Sequence, residues 1–242
     1  MTAAPTYSTF GAHAVLVNWE ASITPEVHDA VLQFDKYVSS RFSEEIIETV
    51  FAYQSLAIYL HESISANTFI QRLKNEIGGR VNVQSKTKYL ARIPVCYDLE
   101  YAPDLTEVAH LHKISIAELI LLHTQPTYTV YFLGFLPGFP YLGGLDPKIH
   151  TPRKSTPNPY VEKGSVGIGG GQTGVYSMAS PGGWNIIGRT PIDFFSVEKR
   201  PPTFLQAGDY VQFVSISKKK YKKMLSDIEK GSITIEKEVI YG

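Results

Sequence analysis

Two arginines carry the strongest suggestion of chemistry in this chain. Arg153 stands in Thr151-Pro-Arg153 and Arg189 in Arg189-Thr-Pro191, each within two residues of a proline that stiffens the backbone and fixes where a guanidinium points. A guanidinium held this way suits bidentate capture of a carboxylate, although pairing with an acid of its own chain would use the same geometry. Gln172 and Tyr176 flank the run Gly169, Gly170, Gly171 and could add amide and phenol hydrogen bonds. The amides of those glycines could form a nest for an anion, or the run could be a β-bulge or barrel corner. Phe135, Phe139, Tyr141 and Trp184 are either core or the wall of a pocket. His123 ends an apolar helical run just before this region, so it could stand at the mouth of such a pocket. A histidine is also favourable at a helix C-terminus in its own right.

Other chemistries lack support. Gly169-Gly-Gly-Gln-Thr-Gly174 has the letters of a dinucleotide fingerprint, but Val-Tyr-Ser-Met follows it without helical periodicity. No Gly-Lys-Ser/Thr occurs, so ATP, if used, is expected on a partner. The seven histidines show no zinc spacing, and no Gly-x-Ser-x-Gly elbow presents a nucleophile. No metal or cofactor is expected on the chain, and no catalytic residue is assigned. Lys plus Arg and Asp plus Glu both number 23 in 242 residues, so no net field favours nucleic acid or an anionic membrane. The Lys218-Lys-Lys-Tyr-Lys-Lys223 run reads as a solvated helix face. The single cysteine, Cys96, lies in an apolar run and fits a reducing compartment. No signal peptide or membrane span is evident, and the cytoplasm is expected.

Most of the 19 glycines lie between Gly134 and Gly188, interleaved with Phe, Tyr and Trp, so the elements must bring backbone close to something there. Ahead of them, strand and helix signals alternate. Strands are expected at Ala12–Trp19, Glu45–Phe51, Ser55–Leu60 and Tyr89–Val95. Thr24-Pro-Glu opens a helix whose Val27, Ala30, Val31, Phe34 and Val38 form one stripe. A second helix runs over Ala66–Ile77 and stops at Gly78-Gly79. The order β-α-β-β-α-β predicts a ferredoxin-like α+β domain over residues 1–90. Two capping boxes, Asp104-Leu-Thr-Glu107 and Ser115-Ile-Ala-Glu118, then open short helices. Short β-branched and aromatic runs between Gly/Pro turns predict a β sandwich or barrel within residues 91–242. A helix over Ser217–Lys230 and a strand over Ser232–Ile240 complete it.

Gly134-Phe-Leu-Pro-Gly-Phe-Pro-Tyr-Leu-Gly-Gly-Leu145, Thr151-Pro-Arg153, Gly164-Ser-Val-Gly-Ile168, Gln172-Thr-Gly-Val-Tyr176 and Pro181-Gly-Gly-Trp184 resemble the allophanate hydrolase subunit 1 family. That family includes the 5-oxoprolinase B subunit, as well as the kinase inhibitor KipI. Ile93-Pro-Val-Cys-Tyr97, Asp104-Leu105 and His123-Thr124 match too. The chain departs from the pattern at Asn158, where a second arginine is usual, at Ser177, where proline is usual, and at Asn185, where glutamine is usual. The resemblance implies an N-terminal α/β domain followed by a cyclophilin-like barrel. It also implies an ATP-dependent opening of 5-oxoproline to glutamate in a heteromeric complex. The partners would be an allophanate hydrolase subunit 2-type protein (the 5-oxoprolinase C subunit) together with the 5-oxoprolinase A subunit, this chain alone being inactive. The alternatives it implies are inhibition of a sensor histidine kinase and the carboxyl-transfer half of a urea carboxylase-like system.

Overall fold

In the computed structural model, residues 4–19, 23–76, 87–232 and 237–241 are described. The chain divides into two compact units, Met1–Lys86 and Thr87–Gly242.

The first unit is a four-stranded antiparallel sheet with two helices. Its strands are β1 (Thr6–Thr9), β2 (Ala14–Asn18), β3 (Ile46–Phe51) and β4 (Ser55–Leu60), in the order β1-β2-β4-β3. Helix α1 (Pro25–Arg41) begins as the sequence requires, with the Thr24 hydroxyl accepting from Val27 N at 3.3 Å and proline in the first turn. Its stripe of Val27, Val31, Phe34 and Val38 is buried, as are Phe69, Ile70 and Leu73 of α2 (Ala66–Glu76). Together with Val15, Val17, Leu56 and Ile58 of the sheet they form one apolar core. The expected Gly78-Gly79 stop lies outside the described residues.

One expectation fails here. The strand foreseen at Tyr89–Val95 does not complete a ferredoxin-like sheet; it is β5 (Lys88–Cys96), and it pairs entirely within the second unit. Among the described residues the first sheet is closed at that side by β1 instead, a strand of exposed Thr6, Ser8 and Thr9 around a half-buried Tyr7 that carries no apolar alternation. The reason lies in β5 itself. Its Ala91, Ile93, Val95 and Cys96 are all fully buried, and a strand apolar on both faces is stabilised most where both faces are covered.

The second unit is a barrel, as expected from its turn-rich texture. After β5 come α3 (Leu105–Leu111), α4 (Ile116–Thr124), β6 (Tyr128–Leu133), β7 (Pro140–Gly143), β8 (Asn158–Val161), β9 (Ser165–Gly169), β10 (Gln172–Val175), β11 (Ser180–Gly182), β12 (Asn185–Arg189), β13 (Tyr210–Ile216), α5 (Lys218–Glu229) and β14 (Lys237–Tyr241). Among the described residues the ring runs β12-β9-β10-β7-β6-β13-β5, and Arg189 opposite Cys96 joins β12 back to β5. Strand β13 lies parallel to β5 along Leu90–Cys96 of one edge. The other edge is shared: β12 takes its C-terminal end and β14 its N-terminal end, with Tyr241 opposite Lys88. Val130, Leu142, Val166, Ile168, Val175, Val211 and Phe213 fill the interior. Strands β8 and β11 form a separate ribbon.

Candidate functional site

The glycines make a trough on the outside of the barrel. Strands β9 and β10 form a hairpin through Gly170, which takes the left-handed φ of +65° that the two-residue turn needs. A strand, not a helix, follows the glycines. Gly169 stands opposite Gln172 and Gly167 opposite Gly174, and directly opposed residues share a face. Ile168 and Thr173 point into the barrel, so Gly167, Gly169, Gln172 and Gly174 point out. On that face a Cβ at Gly169 would lie 2.6 Å from the Trp184 indole, and one at Gly174 would lie 2.8 Å from Pro140 O and 3.0 Å from the Phe139 ring. Trp184 and Phe139 therefore lie down on bare backbone, edge to face at 5.5 Å. Tyr141 and Tyr176 pack on Phe139 at 5.0 and 5.3 Å. Both phenols are raised by burial, and the charge of Arg153 acts in the opposite sense on each.

Phe135 completes the aromatic wall. Its ring is 62% exposed yet edges onto Phe139 at 5.6 Å and Tyr176 at 6.4 Å. Its backbone is left-handed, φ +66°, a conformation that costs a bulky L-residue about 1–2 kcal/mol. The loop is held by Gly134 N donating to Phe139 O at 3.1 Å and Phe139 N to Leu136 O at 3.0 Å. A large apolar ring is thus kept in solvent by a strained backbone.

Arg153 reaches this wall from a segment fixed on both sides of it. Thr151 and Gly170 exchange backbone hydrogen bonds, Thr151 N to Gly170 O at 3.1 Å and Gly170 N to Thr151 O at 2.7 Å. The Thr151 hydroxyl donates to Ile149 O, so His112 Nε2, 2.9 Å away, must donate to it. Asn185 Nδ2 donates to Pro152 O at 2.9 Å and to Ile168 O at 3.2 Å, and Lys154 N donates to Gly183 O at 2.7 Å. The Arg153 guanidinium carbon lies 5.9 Å from the centre of the Trp184 ring. It is exposed, and among the described residues no carboxylate pairs with it. An unpaired, oriented guanidinium beside aromatic faces and the Tyr141 phenol can take a small carboxylated, largely apolar molecule, while the Tyr176 hydroxyl is buried against Gly182.

The other sequence candidates fall elsewhere. Arg189 is paired with Glu162 of its own chain and lies over Tyr101 at 5.4 Å, so its fork already holds a carboxylate. The glycine amides are no open nest, because that of Gly170 is committed to Thr151 and Gly171 lies against the His150 ring. Gln172 shares the outer face with Gly169. The lysine run lines α5, where Lys218 pairs with Glu100 and Asp98.

His123 stands inside the barrel, not at a pocket mouth. It is fully buried and stacks on Phe213 at 4.6 Å. The Thr173 hydroxyl donates to Gly167 O, so it accepts from His123 Nε2–H at 2.9 Å, leaving Nδ1 to accept from the Tyr97 hydroxyl at 2.7 Å. Burial lowers its pKa to about 3. The unfolded chain, with an ordinary histidine near 6.5, then binds the extra proton in the window between these values, so stability falls as pH falls through it. Expected is a loss of about 1.4 kcal/mol per pH unit below 6.5. Melting curves between pH 7.5 and 4.5 check this: a His123→Gln variant should lose that slope, and an unchanged slope would contradict the assignment.

Sequence reasoning noted Asn185 only as a departure from the family pattern and passed over Lys154. Asn185 replaces the family's glutamine yet clamps the Arg153 segment. Of the other departures, Asn158 is exposed on β8 and accepts from Tyr160 N, while the buried Ser177 hydroxyl has no hydrogen-bond partner among the described residues. No group of metal-ligating side chains and no helix long and apolar enough to cross a membrane occurs among the described residues.

Residues 5–205 match the family described as carboxyltransferase domain, subdomain C and D. The chain is 39% identical over 222 residues to the 5-oxoprolinase B subunit of Bacillus subtilis (strain 168), covering 87% of this chain and 92% of that protein. It is 42% identical over 171 residues to the 5-oxoprolinase B subunit of Haemophilus influenzae, covering 71% and 80%. The crystal structure of the K. lactis urea amidolyase superposes with a TM-score of 0.78 over 97% of this chain, at 19% identity, which shows the fold alone; the chain spans 16% of that protein.

Proposed function

Since the chain belongs to the carboxyltransferase domain, subdomain C and D family, together with the 5-oxoprolinase B subunits, we propose that it is the B subunit of an ATP-dependent 5-oxoprolinase that opens 5-oxoproline to glutamate. The observation that carries the reading within the molecule is the unpaired Arg153 guanidinium over Trp184. It offers a fork for the substrate carboxylate, while the rings of Trp184 and Phe135 face the apolar part of the lactam. Tyr141 and Gln172 are the donors within the same patch for the lactam carbonyl, whereas Tyr176, fully buried with its hydroxyl against Gly182, serves as wall. The cyclophilin-like barrel acts as scaffold and carries no isomerase activity in this reading. ATP is bound by a partner, since the sequence has no P-loop, and the partners are the enzyme's A and C subunits. The chain alone is inactive. Its buried, free Cys96 suits the reducing cytoplasm.

The test is ATP-dependent glutamate formation from 5-oxoproline by the reconstituted subunits, with this chain present or omitted. Turnover is expected only when it is present. An unchanged rate without it would overturn the reading in favour of a regulatory binding protein.

A further inference from the structure

Asp104 opens α3 but does not cap it. The Asp104-Leu-Thr-Glu107 spacing is that of a capping box, yet the carboxylate makes no bond to the first turn of α3. An aspartate cap stabilises its helix, and here that contribution is forgone. Both oxygens are engaged elsewhere. Oδ2 accepts from Ile186 N at 2.6 Å, and Oδ1 pairs with Lys154 Nζ at 2.5 Å. The Asp104 N–H also donates to Ile186 O, at 3.0 Å. The carboxylate is buried and the Lys154 side chain is only 29% exposed, so water screens the pair weakly. The residues it holds are the one after Arg153 and the second after Trp184. This side chain therefore ties the segment that presents the guanidinium to the strand that follows the ring beneath it, adding a charged link to the Asn185–Pro152 and Lys154–Gly183 bonds.

We infer that Asp104 is a positioning residue for substrate binding: through Lys154 and Ile186 it holds Arg153 over Trp184 in the orientation that receives the substrate carboxylate. The inference rests on Arg153 as the carboxylate anchor. A fork held by its neighbours loses alignment when they shift, and misplacement by about 1 Å can cost roughly a hundredfold in rate or affinity.

Two variants test it in the reconstituted complex. Asp104→Asn keeps an acceptor for Ile186 N–H and removes the charge that Lys154 needs. Lys154→Met keeps the aliphatic stem and removes the ammonium. Each is expected to raise the KM for 5-oxoproline about tenfold, with kcat changed less than about twofold. Placed in an Arg153→Ala background, neither should raise KM further, because the group they align is gone. A lowered melting temperature with unchanged KM in Asp104→Asn would reduce Asp104 to a stabilising residue and overturn the inference. If that variant fails to fold, Lys154→Met decides, and an unchanged KM overturns it equally. Should Arg153→Ala itself leave KM unchanged, the carboxylate reading falls and this inference with it. A raised KM in Arg153→Ala alone removes only the positioning role.

Discussion

Arg153→Ala is expected to raise the KM for 5-oxoproline about a hundredfold in the reconstituted enzyme, with complex assembly intact. The size follows from removing one partner of a hydrogen-bonded charge pair that the bound substrate shields from water, which costs roughly 3 kcal/mol, or about two decades in affinity. Assembly and folding should be spared because the side chain is exposed and forms no ion pair among the described residues. Arg153→Lys restores the charge without the fork and should recover only part of the loss. Arg189→Ala is the contrasting variant. Its guanidinium already holds Glu162, so its loss should lower stability and leave KM in place. Steady-state kinetics on the three variants, with assembly followed by gel filtration, read this directly. If Arg153→Ala has the KM of the wild type, the carboxylate is bound elsewhere.

Gly169→Ala is the second large effect expected. Its Cβ would lie 2.6 Å from the Trp184 indole, a ring confined between the strand backbone and Phe139. Overpacking of this kind costs about 1–3 kcal/mol, which for a chain of this size lowers the melting temperature by roughly 4–8 °C for each 2 kcal/mol. A displaced indole also leaves Arg153 without its platform, so KM should rise in the same variant. Gly170→Ala separates the two consequences. Open space surrounds that position, and only its φ of +65° is at stake, so stability should fall by about 1 kcal/mol while KM stays put. Thermal melts and kinetics on the pair decide the matter. Equal KM values for Gly169→Ala and wild type would show that Trp184 plays no part in binding.

Much of this was readable from residue types and spacing, for reasons that also mark the limit. The α1 stripe and its Thr24-Pro25 start are local, and they formed as expected. The glycine clusters pointed to close approach, and the approaching groups are rings of the chain itself. What could not be read was tertiary pairing. Nothing local says that Glu162, 27 residues away, claims Arg189 while Arg153 is left open. The capping box at Ser115 behaves as written, with Glu118 N bonded to its hydroxyl at 3.1 Å, whereas the one at Asp104 is overridden by partners 50 and 82 residues on. His123 shows the same limit, since its partners Tyr97 and Thr173 lie 26 and 50 residues away, just past the end of β5 and on β10. Strand β1 was missed because its exposed polar residues have no alternation, and register with β2 alone defines it.

The pairing of Tyr241 with Lys88 puts the two ends of the barrel unit side by side on one strand edge. A unit entered and left at one point behaves as a cassette: it can be spliced into a surface loop of another polypeptide without spreading that loop apart, and its own ends can be joined and new ones opened elsewhere.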